Sequence, residues 1–392
     1  MSLIRRSLGA IVPLGAALVA FLFGAIMILA LGANPIDGLV AILDGAFGTK
    51  ERLATTAVRA APLLLVGTGI CVAFRAKVIN IGGEGQIVIG ALLATALALA
   101  IPDTPKPILL PLVMVAGMVG GGFWGAIPGA LKAYASVNEI LSTIMLNLVA
   151  VQVMNYLLRG PMIDPLEIEG SRIPQTERLT DNAALPTLVE GTRLHLGVLI
   201  AVVAAVVTYV LLWRTPLGFR LRAVGHNPDA ARASGISVER SIVTAMTISG
   251  SLSGLAGAVL VFGSESLRMV TDGSTAGFTS SAGFNGIVAA LFGALHPLWT
   301  IPSAFLFGSL LTGANNLQRV LQIPSPLAVA LNGIVVVFVV SSGRVRTWIE
   351  QWLDDRIDHI VDETDRGTEA FAGAGAESAP DDDAASLAGD RS

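Results

Sequence analysis

The chain has 392 residues, of which 53% are hydrophobic and only 14% are charged, and its mean hydropathy is +0.71. A soluble domain carries about 25% charged residues, so this composition excludes a water-soluble enzyme. A single cysteine, Cys71, and four scattered histidines exclude a disulfide scaffold and argue against a metal site built from Cys and His. We therefore predict an all-α, polytopic membrane protein.

The formal net charge of −4 combines two parts of opposite sign. Residues 1–349 have more basic than acidic residues, whereas residues 350–392 carry 13 acidic and 3 basic ones. We expect a transmembrane domain over residues 1–349 and an acidic, largely disordered tail over residues 350–392.

Uncharged stretches mark the expected membrane spans, because a spanning helix needs about 20 largely apolar residues. The ten predicted spans lie, in chain order, within residues 7–36, 53–74, 85–102, 107–131, 140–158, 196–213, 241–264, two halves of 273–318, and 320–343. His296 and Pro297 divide the stretch 273–318, and Arg59 interrupts the second span. The first stretch is longer than the ~7–15 apolar residues of a signal peptide, so we expect it to be retained.

The placement of basic residues predicts the orientation of these spans. Arg5 and Arg6 precede the first span and Arg344 follows the last one. Because Lys and Arg are enriched in cytoplasmic loops, we expect both termini to be cytoplasmic. The loop 214–240 then falls on the cytoplasmic side, and the loop 159–195 is extracytoplasmic.

A polar, glycine-rich segment follows the second span. Asn80, Glu84 and Gln86 lie around three glycines at 82, 83 and 85. Glycine permits a broken helix or close backbone packing, and a carboxylate at membrane depth needs a partner or a watery cavity. Two interpretations are open: a re-entrant or discontinuous helix lining a pathway, or a loop in which Glu84 is solvated at the interface.

A second polar segment begins the fifth span. Ser136 and Glu139 match a capping-box pattern at a helix start. Asn138, Ser142, Thr143 and Asn147 follow on the first turns, and Asn155 continues the same face eight residues later. Such a face can line a path or hydrogen-bond to a neighbouring helix, and the sequence does not distinguish these alternatives.

The loop 214–240 contains a short helix with clear end signals. Asn227 is suited to the N-cap, Pro228 to the first turn, Asp229 to the positive end of the helix dipole, and Gly235 to the position after the helix. A helix of about seven residues is marginal in water. It therefore needs a surface, either a docking partner or the ends of its own transmembrane helices.

One further pattern concerns helix packing, because Gly250 and Gly254 make a G-x-x-x-G spacing that allows two helices to approach closely. No residue set for catalysis is present: the sequence has no paired carboxylates, no His cluster and no nucleotide-binding G-x-x-x-x-G-K-[ST] motif. We expect no catalytic residue, no metal and no cofactor.

Together, the polar segments resemble the inner-membrane permeases of ABC importers. The resemblance is to the branched-chain amino acid and simple-sugar type, and within it to nucleoside-importer permeases. The residues that carry it are Asn80–Gln86, Val137–Ile140 with Thr143–Asn147, and Thr215–Phe219 with Ala223–Pro228 and Ala230–Ile236. It covers about residues 10–345, and the acidic tail is not part of the family pattern.

This resemblance implies a prokaryotic, multi-pass plasma-membrane protein that is not itself an enzyme. It implies a second related permease subunit, a cytoplasmic ABC ATPase and an extracytoplasmic substrate-binding protein, with lipid around the spans and no nucleic acid. The residues matching the family's ATPase-contacting region are Gly218, Gly225, Asn227, Pro228, Asp229, Ala230, Ala231 and Gly235. The candidate pathway residues are Asn80, Glu84, Gln86, Asn138, Glu139, Thr143 and Asn147.

The expected function is import of a polar solute by alternating access, with a nucleoside as the expected solute and a simple sugar as the alternative. A stand-alone secondary transporter is the rival from another class. It would need a coupling carboxylate at mid-membrane, and we expect Glu84, Glu139 and Glu265 to lie at the ends of spans.

Overall fold

The computed structural model describes residues 22–30, 32, 34–170 and 173–322, and the isolated positions 333, 334, 337 and 351. All of these except 351 belong to one compact unit, Phe21–Val337. The acidic tail, the start of the first predicted span and most of the last one lie outside the described residues.

The described residues are helical, apart from loops and two isolated β-bridges. The helices are α1 (Leu22–Ala30), α2 (Pro35–Phe47), α3 (Lys50–Arg75), α4 (Gly83–Ala100), α5 (Lys106–Ala135), α6 (Glu139–Arg159), α7 (Pro165–Glu169), α8 (Leu196–Arg214), α9 (Pro216–His226), α10 (Pro228–Ala233), α11 (Val238–Phe262), α12 (Thr275–Thr279), α13 (Ala282–Phe292) and α14 (Pro297–Leu321). A single 3-10 turn covers Asp181–Ala183.

Six of these helices are long and apolar enough to cross a membrane: α3, α4, α5, α6, α8 and α11. They coincide with the second to seventh predicted spans, so the all-α membrane class is confirmed for the described part of the chain. The total of ten spans and the orientation of the termini stay predictions. Arg59 does not end the second span, because α3 continues through it.

The stretch 273–318 divides at His296 as predicted, but its first half is not one helix. α12 and α13 are separated by Ser280 and Ser281, whose φ angles of +51° and +59° are left-handed. α13 has 11 residues and is therefore about 16 Å long, which is too short to cross a hydrocarbon core of about 30 Å. This half is a broken helix pair, and the break falls at Thr279, Ser280 and Ser281, which a map based on uncharged length alone does not distinguish from a spanning helix.

Glycines bring α4, α5 and α11 into backbone contact. A β-carbon added at Gly121 of α5 would lie 2.5 Å from the α-carbon of Gly254 in α11. One added at Gly90 of α4 would lie 2.8 Å from the carbonyl oxygen of Gly117 in α5. The close approach expected from Gly250 and Gly254 is therefore confirmed, and α5 supplies its own glycines opposite them.

The helix α3 lies at the centre of this packing. Its residues from Ala60 to Ala73 are all buried, and it contacts α8, α11, α13 and α14. Because α8, α11, α13 and α14 all pack on it, α3 provides a reference for the depth of the polar residues described next.

Candidate functional site

The segment 76–82 turns back into the helix bundle after α3 ends. The reversal begins at Lys77, whose φ is +58°. α4 then starts at Gly83, where an added β-carbon would lie 3.3 Å from a side-chain carbon of Val66. Val66 lies nine residues before the end of α3 at Arg75, a distance of about 14 Å. The non-helical segment therefore lies within the depth of the bundle, which agrees with the expectation of a discontinuous helix.

The side chains of Asn80 and Gln86 hold this turn together. The Asn80 amide nitrogen donates to Gln86 Oε1 at 3.0 Å and to the Ser249 hydroxyl at 2.8 Å. The Asn80 Oδ1 accepts from the Gly82 N–H at 2.9 Å and from Gln86 Nε2 at 3.1 Å. Asn80 and Gln86 are 0% and 1% exposed, so their amides are satisfied by the protein in this conformation.

Asn147, which belongs to α6, is hydrogen-bonded to the backbone of the same turn. Its Oδ1 accepts from the Gly85 N–H at 2.8 Å, and its Nδ2 donates to the Ile81 carbonyl at 3.0 Å. A β-carbon at Gly85 would lie 2.9 Å from that Oδ1, so glycine is what allows the amide to reach the backbone. One amide thereby satisfies a donor and an acceptor of the broken segment.

Glu84 joins the start of α4 to the broken pair α12–α13. Its carboxylate accepts the hydroxyl proton of Thr279 and, at 3.1 Å, the N–H of Phe284. Glu84 is 1% exposed, so the interpretation of a solvated interface residue is wrong. The assumption that Glu84 lies at the end of a span also needs correction, because α4 begins inside the bundle.

The start of α6 differs from the sequence prediction. Asn138, not Ser136, is the N-cap, since its side chain accepts from the N–H groups of Ile140 and Leu141. Ser136 instead ends α5 with a φ of +53°, so the proposed capping box is wrong. Glu139 pairs with Lys132 at 2.9 Å and does not reach the buried core.

Four of the seven candidate pathway residues therefore meet around the turn 80–86: Asn80, Glu84, Gln86 and Asn147. Thr143 lies beside them, because a β-carbon added at Gly82 would be 3.2 Å from the β-carbon of Thr143. The Thr143 hydroxyl donates to the carbonyls of Glu139 and Ile140, within its own helix. Asn138 and Glu139 stay at the end of α6.

Asn155 lies on the polar face of α6, as its spacing predicted. It donates to the Gly273 carbonyl at 3.3 Å and accepts from the Thr271 hydroxyl at 3.1 Å. This places the chain entering α12 beside the far end of α6.

The second group of candidate residues forms the paired helices α9 and α10. The Asn227 side chain caps α10 by accepting from the N–H groups of Asp229 and Ala230, and Pro228 is the first helical residue. Gly235 has a φ of +79°. These end signals are confirmed, whereas the helix α9 before them was not predicted.

One face of α10 is covered and the other is open. Ala231 is buried against Val224 and Val238, which is the surface expected if a short helix rests on its own neighbours. Asp229 and Ala230 are exposed on the opposite side. α10 therefore packs on its own neighbouring helices through one face and leaves the opposite face exposed.

Gly225 and Gly218 anchor these helices to the bundle. Gly225 lies against the backbone of Arg75 and Ala76, so no β-carbon fits there without displacement. A β-carbon at Gly218 would lie 2.5 Å from the Leu212 α-carbon. α9 is therefore in direct contact with the end of α3, from which the turn 76–82 begins.

An aromatic cluster covers the same end of α3. The Arg75 guanidinium lies 5.2 Å from the centre of the Trp213 ring, and His296 lies 4.9 Å from that ring. Partial burial, together with the Arg75 charge, lowers the pKa of His296. In the sequence, His296 is recognisable only as a boundary within the stretch 273–318, and its place in this cluster was not predicted.

A cavity of about 580 Å³, lined by apolar and charged side chains, lies at the opposite end of α3. Its lining includes Arg59, Arg178, Arg193 and His195. Arg59 donates to the Leu311 carbonyl at 3.4 Å, and the Asn315 amide oxygen, turned toward it, accepts at 2.6 and 2.7 Å. In the sequence, the charge of Arg59 within the second predicted span was the feature that could have indicated this cavity.

Metal chemistry finds no support in the part of the chain that the structure describes. It contains no group of three or more His, Cys, Asp or Glu side chains placed to hold an ion.

Comparison with known proteins identifies a family and several relatives. Residues 52–340 match the family model described as "Branched-chain amino acid transport system / permease component". The guanosine ABC transporter permease protein NupP of Bacillus subtilis is 34% identical over 88% of this chain and 97% of its own length. The nucleoside ABC transporter permease protein NupB of Lactococcus lactis is 33% identical over 84% of this chain and 90% of its own length.

A third relative carries a different solute in its name. The glucose ABC transporter permease protein TsgB13 of Haloferax volcanii is 33% identical over 84% of this chain and 87% of its own length. No solved structure matches the chain significantly.

Proposed function

The chain belongs to the branched-chain amino acid transport system permease family, and from this premise we propose that it is the permease subunit of an ABC importer for nucleosides. The observation that carries the proposal is the near-complete coverage of NupP and NupB, 97% and 90% of their lengths. Similarity over a whole permease, and not over one motif, is what a shared transport role requires.

A simple sugar is the second candidate solute, because the glucose permease TsgB13 is as similar as NupB, at 33% identity. An uptake panel separates the two. Cells that express the complete importer are given labelled guanosine, adenosine, glucose or ribose, and initial rates are compared with cells lacking this chain. We expect the chain to be required for nucleoside uptake; a requirement for sugar uptake alone would overturn the proposal.

The proposal includes partners that supply what this chain lacks. A second related permease subunit completes the pathway, a cytoplasmic ABC ATPase hydrolyses ATP, and an extracytoplasmic binding protein delivers the solute. Both termini would be cytoplasmic. Residues 1–349 would then be the transmembrane domain, 159–195 an extracytoplasmic loop, 214–240 a cytoplasmic one, and 350–392 the cytoplasmic tail.

The exposed side of α10 is the proposed contact with the ATPase. Asn227, Pro228 and Gly235 fix the ends of that helix, and Asp229 and Ala230 face outward. Gly225 lies against the backbone of Arg75. A shift of α9 and α10 would therefore reach the end of α3 and the turn 76–82 directly.

The buried cluster of Asn80, Glu84, Gln86 and Asn147 has a positioning role in this proposal. Its polar groups bond to protein in the conformation described, so they hold the discontinuous segment in place beside the pathway. In this proposal, rigid groups of helices rock around that segment during alternating access, as they do in other transporters with discontinuous helices. A stand-alone secondary transporter is disfavoured by family membership, and no longer by the position of Glu84.

A further inference from the structure

The cavity beside Arg59 reaches from the loops at the start of α3 into the helix bundle. Its volume of about 580 Å³ is within the range of about 300–1,000 Å³ that is usual for small-molecule sites. Along α3 its lining runs from Thr55 to Pro62. Pro62 belongs to the buried part of α3 and lies about 18 Å from the first residue of the helix, Lys50. The cavity therefore extends into the core of the protein.

Backbone hydrogen bonds between two loops form the outer wall of this cavity. The Leu185 N–H donates to the carbonyl of Phe262, the last residue of α11, at 2.8 Å. The Leu179 N–H donates to the Leu267 carbonyl at 2.9 Å. Leu185, Phe262 and Leu267 all line the cavity. Its outer wall is therefore made of protein segments that are fixed to one another.

The charges around the cavity are balanced at its rim but not at Arg59. Four exposed side chains at the rim form two ion pairs, with 2.7 and 3.2 Å between their charged atoms: Arg193 with Glu265, and Arg178 with Asp181. Arg59 forms no ion pair with any described residue, and its guanidinium donates to the oxygens of Leu311 and Asn315. These contacts leave at least two of its five N–H groups without a partner in the described part of the chain. A charge inside a spanning helix is costly and commonly marks a binding site.

His195 offers a second hydrogen-bond donor to the same cavity. Its side chain lines the cavity and is only 4% exposed. Its Nδ1 accepts from the Gly197 N–H at 3.1 Å, and burial lowers the pKa of His195, so the ring is neutral near pH 7 and carries its proton on Nε2. This Nε2 donates to no described residue. A β-carbon added at Gly263, which also lines the cavity, would lie 2.5 Å from Nε2, so glycine leaves this N–H uncovered.

Most of the remaining wall is apolar: Val58, Pro62, Leu185, Val259, Leu260 and Phe262. Hydrogen-bond donors thus lie beside an apolar surface, which is the usual composition of a small-molecule site. This combination suits a flat, uncharged molecule that has acceptor atoms on its edge and apolar faces. A nucleobase has both features, whereas a simple sugar is polar on nearly all sides.

We propose that this cavity receives the nucleoside at the extracytoplasmic end of the permease, with the Arg59 guanidinium donating to acceptor atoms of the base and the His195 Nε2–H as a second donor; this rests on the proposed function and deepens it. Guanine presents two adjacent acceptors, O6 and N7, which the fork of an arginine bonds together. Adenine has an amino group in place of O6 and therefore opposes a donor to the guanidinium. The site therefore favours guanosine over adenosine.

Arg59→Met tests this selectivity, because it removes every donor of the side chain and keeps much of its length. Arg159→Met is the matched control, since Arg159 is exposed at the end of α6 and does not line the cavity. Cells that express the complete importer take up guanosine and adenosine, carrying different labels, from one mixture. The ratio of the two initial rates then measures discrimination between the solutes. Because the binding protein is the same in every strain, a changed ratio originates in this chain.

We expect Arg59→Met to lower the guanosine-to-adenosine ratio at least about 5-fold, the lower end of the discrimination that a bidentate arginine–guanine contact gives. Arg159→Met should keep the wild-type ratio within about 2-fold. A purely structural role of Arg59, through its bonds to Leu311 and Asn315, would instead lower both rates equally and leave the ratio unchanged.

Two substitutions of His195 separate its cavity donor from its role at the start of α8. His195→Asn keeps an acceptor for the Gly197 N–H and loses the donor at Nε2, whereas His195→Gln keeps a donor near Nε2 and loses that acceptor. We expect the Asn variant to lower guanosine uptake about 5-fold, the order of effect for one lost hydrogen bond. The Gln variant should stay within about 2-fold of wild type. The reverse order would show that His195 acts only as a helix cap.

An unchanged ratio in Arg59→Met, while the wild-type importer carries guanosine, would overturn this site and leave the proposed function standing. If Arg59→Met does not reach the membrane, His195→Asn decides, and wild-type uptake in that variant would overturn the site equally. If the wild-type importer carries no nucleoside, the proposed function itself fails, and this site fails with it.

Discussion

The carboxylate of Glu84 accepts a hydrogen bond from the hydroxyl of Thr279, 195 residues further along the chain. This contact joins the first turn of α4 to the short helix α12, and the same carboxylate caps the start of α13 through the Phe284 N–H. Two interrupted segments are therefore held together at one buried point.

Removing that carboxylate should reduce transport in two steps. Glu84→Gln keeps an acceptor oxygen, whereas Glu84→Leu removes the acceptor that the Thr279 hydroxyl and the Phe284 N–H share, at a cost of about 1–3 kcal/mol. We expect Gln to be the milder change, with uptake affected before expression. Initial rates at matched membrane levels measure this, and Glu190→Leu, at an exposed loop position, is the control. Wild-type rates in both Glu84 variants would refute the role of this contact.

Gly235 sets the end of α10 through its backbone conformation alone. Its φ is +79°, and an added β-carbon would meet nothing within 4 Å. Gly235→Val should therefore cost at least ~1 kcal/mol through conformational strain and misplace the end of the helix. We expect lost transport and weakened ATPase association with normal membrane insertion. Gly191→Val is the matched control, because Gly191 has a φ of +74° and open space in the other loop. Full solute-stimulated ATP hydrolysis in Gly235→Val would contradict the coupling role.

The contact between α5 and α11 leaves no room for a side chain at Gly121. A β-carbon there would lie 2.5 Å from the Gly254 α-carbon and 2.6 Å from its nitrogen. Because both atoms belong to backbone, Gly121→Ala must push the helices apart. We expect a Tm several degrees lower in detergent, whereas Val119→Leu on the exposed side of α5 should leave Tm unchanged. Equal Tm values for the two variants would show that the packing adapts without cost.

The ion pair between Asp164 and Arg268 predicts a pH-dependent stability. Their charged atoms lie 2.5 Å apart, and the Leu166 N–H, together with Arg268, holds the pKa of Asp164 below its ordinary value. The pKa of an aspartate in the unfolded chain is about 4. Because the pKa of Asp164 is lower in the folded state, its carboxylate stabilises the fold at pH values above about 4. This stabilisation is lost as the pH falls through the folded-state value.

Asp164→Asn should therefore lower Tm at about pH 7, and the difference from wild type should shrink toward about pH 3. Asp103→Asn, at an exposed position between α4 and α5, is the control and should change Tm little at either pH. A difference between wild type and Asp164→Asn that is equally large at both pH values would argue that shape, and not charge, stabilises this site.

The features that were predicted correctly depend on residues that are close together in the chain. The cap of α10 at Asn227 and Pro228, and the positive φ of Gly235, follow from local backbone chemistry, and the structure has them. The second to seventh spans follow from apolar length alone. Ser136 was misassigned as a cap because α6 begins only at Glu139, where Asn138 accepts from the N–H groups of Ile140 and Leu141, and Ser136 ends α5 instead.

What the sequence could not supply depends on contacts between distant residues. Nothing near Glu84 identifies Thr279 as its partner, and nothing near Asn147 indicates that it bonds the backbone around Gly85. The break at Ser280 lies in an uncharged stretch, so uncharged length predicted one helix where two short ones occur. The cavity beside Arg59 is formed by residues from several separated segments.

Nucleoside import coupled to a separate ATPase is tested most directly with the complete importer in proteoliposomes, with the binding protein outside and ATP inside. We expect ATP-dependent accumulation of labelled guanosine that unlabelled nucleosides displace and excess glucose does not, and its loss when this chain carries Gly235→Val. Accumulation that proceeds without ATP, or that glucose and not nucleosides displaces, would contradict this function.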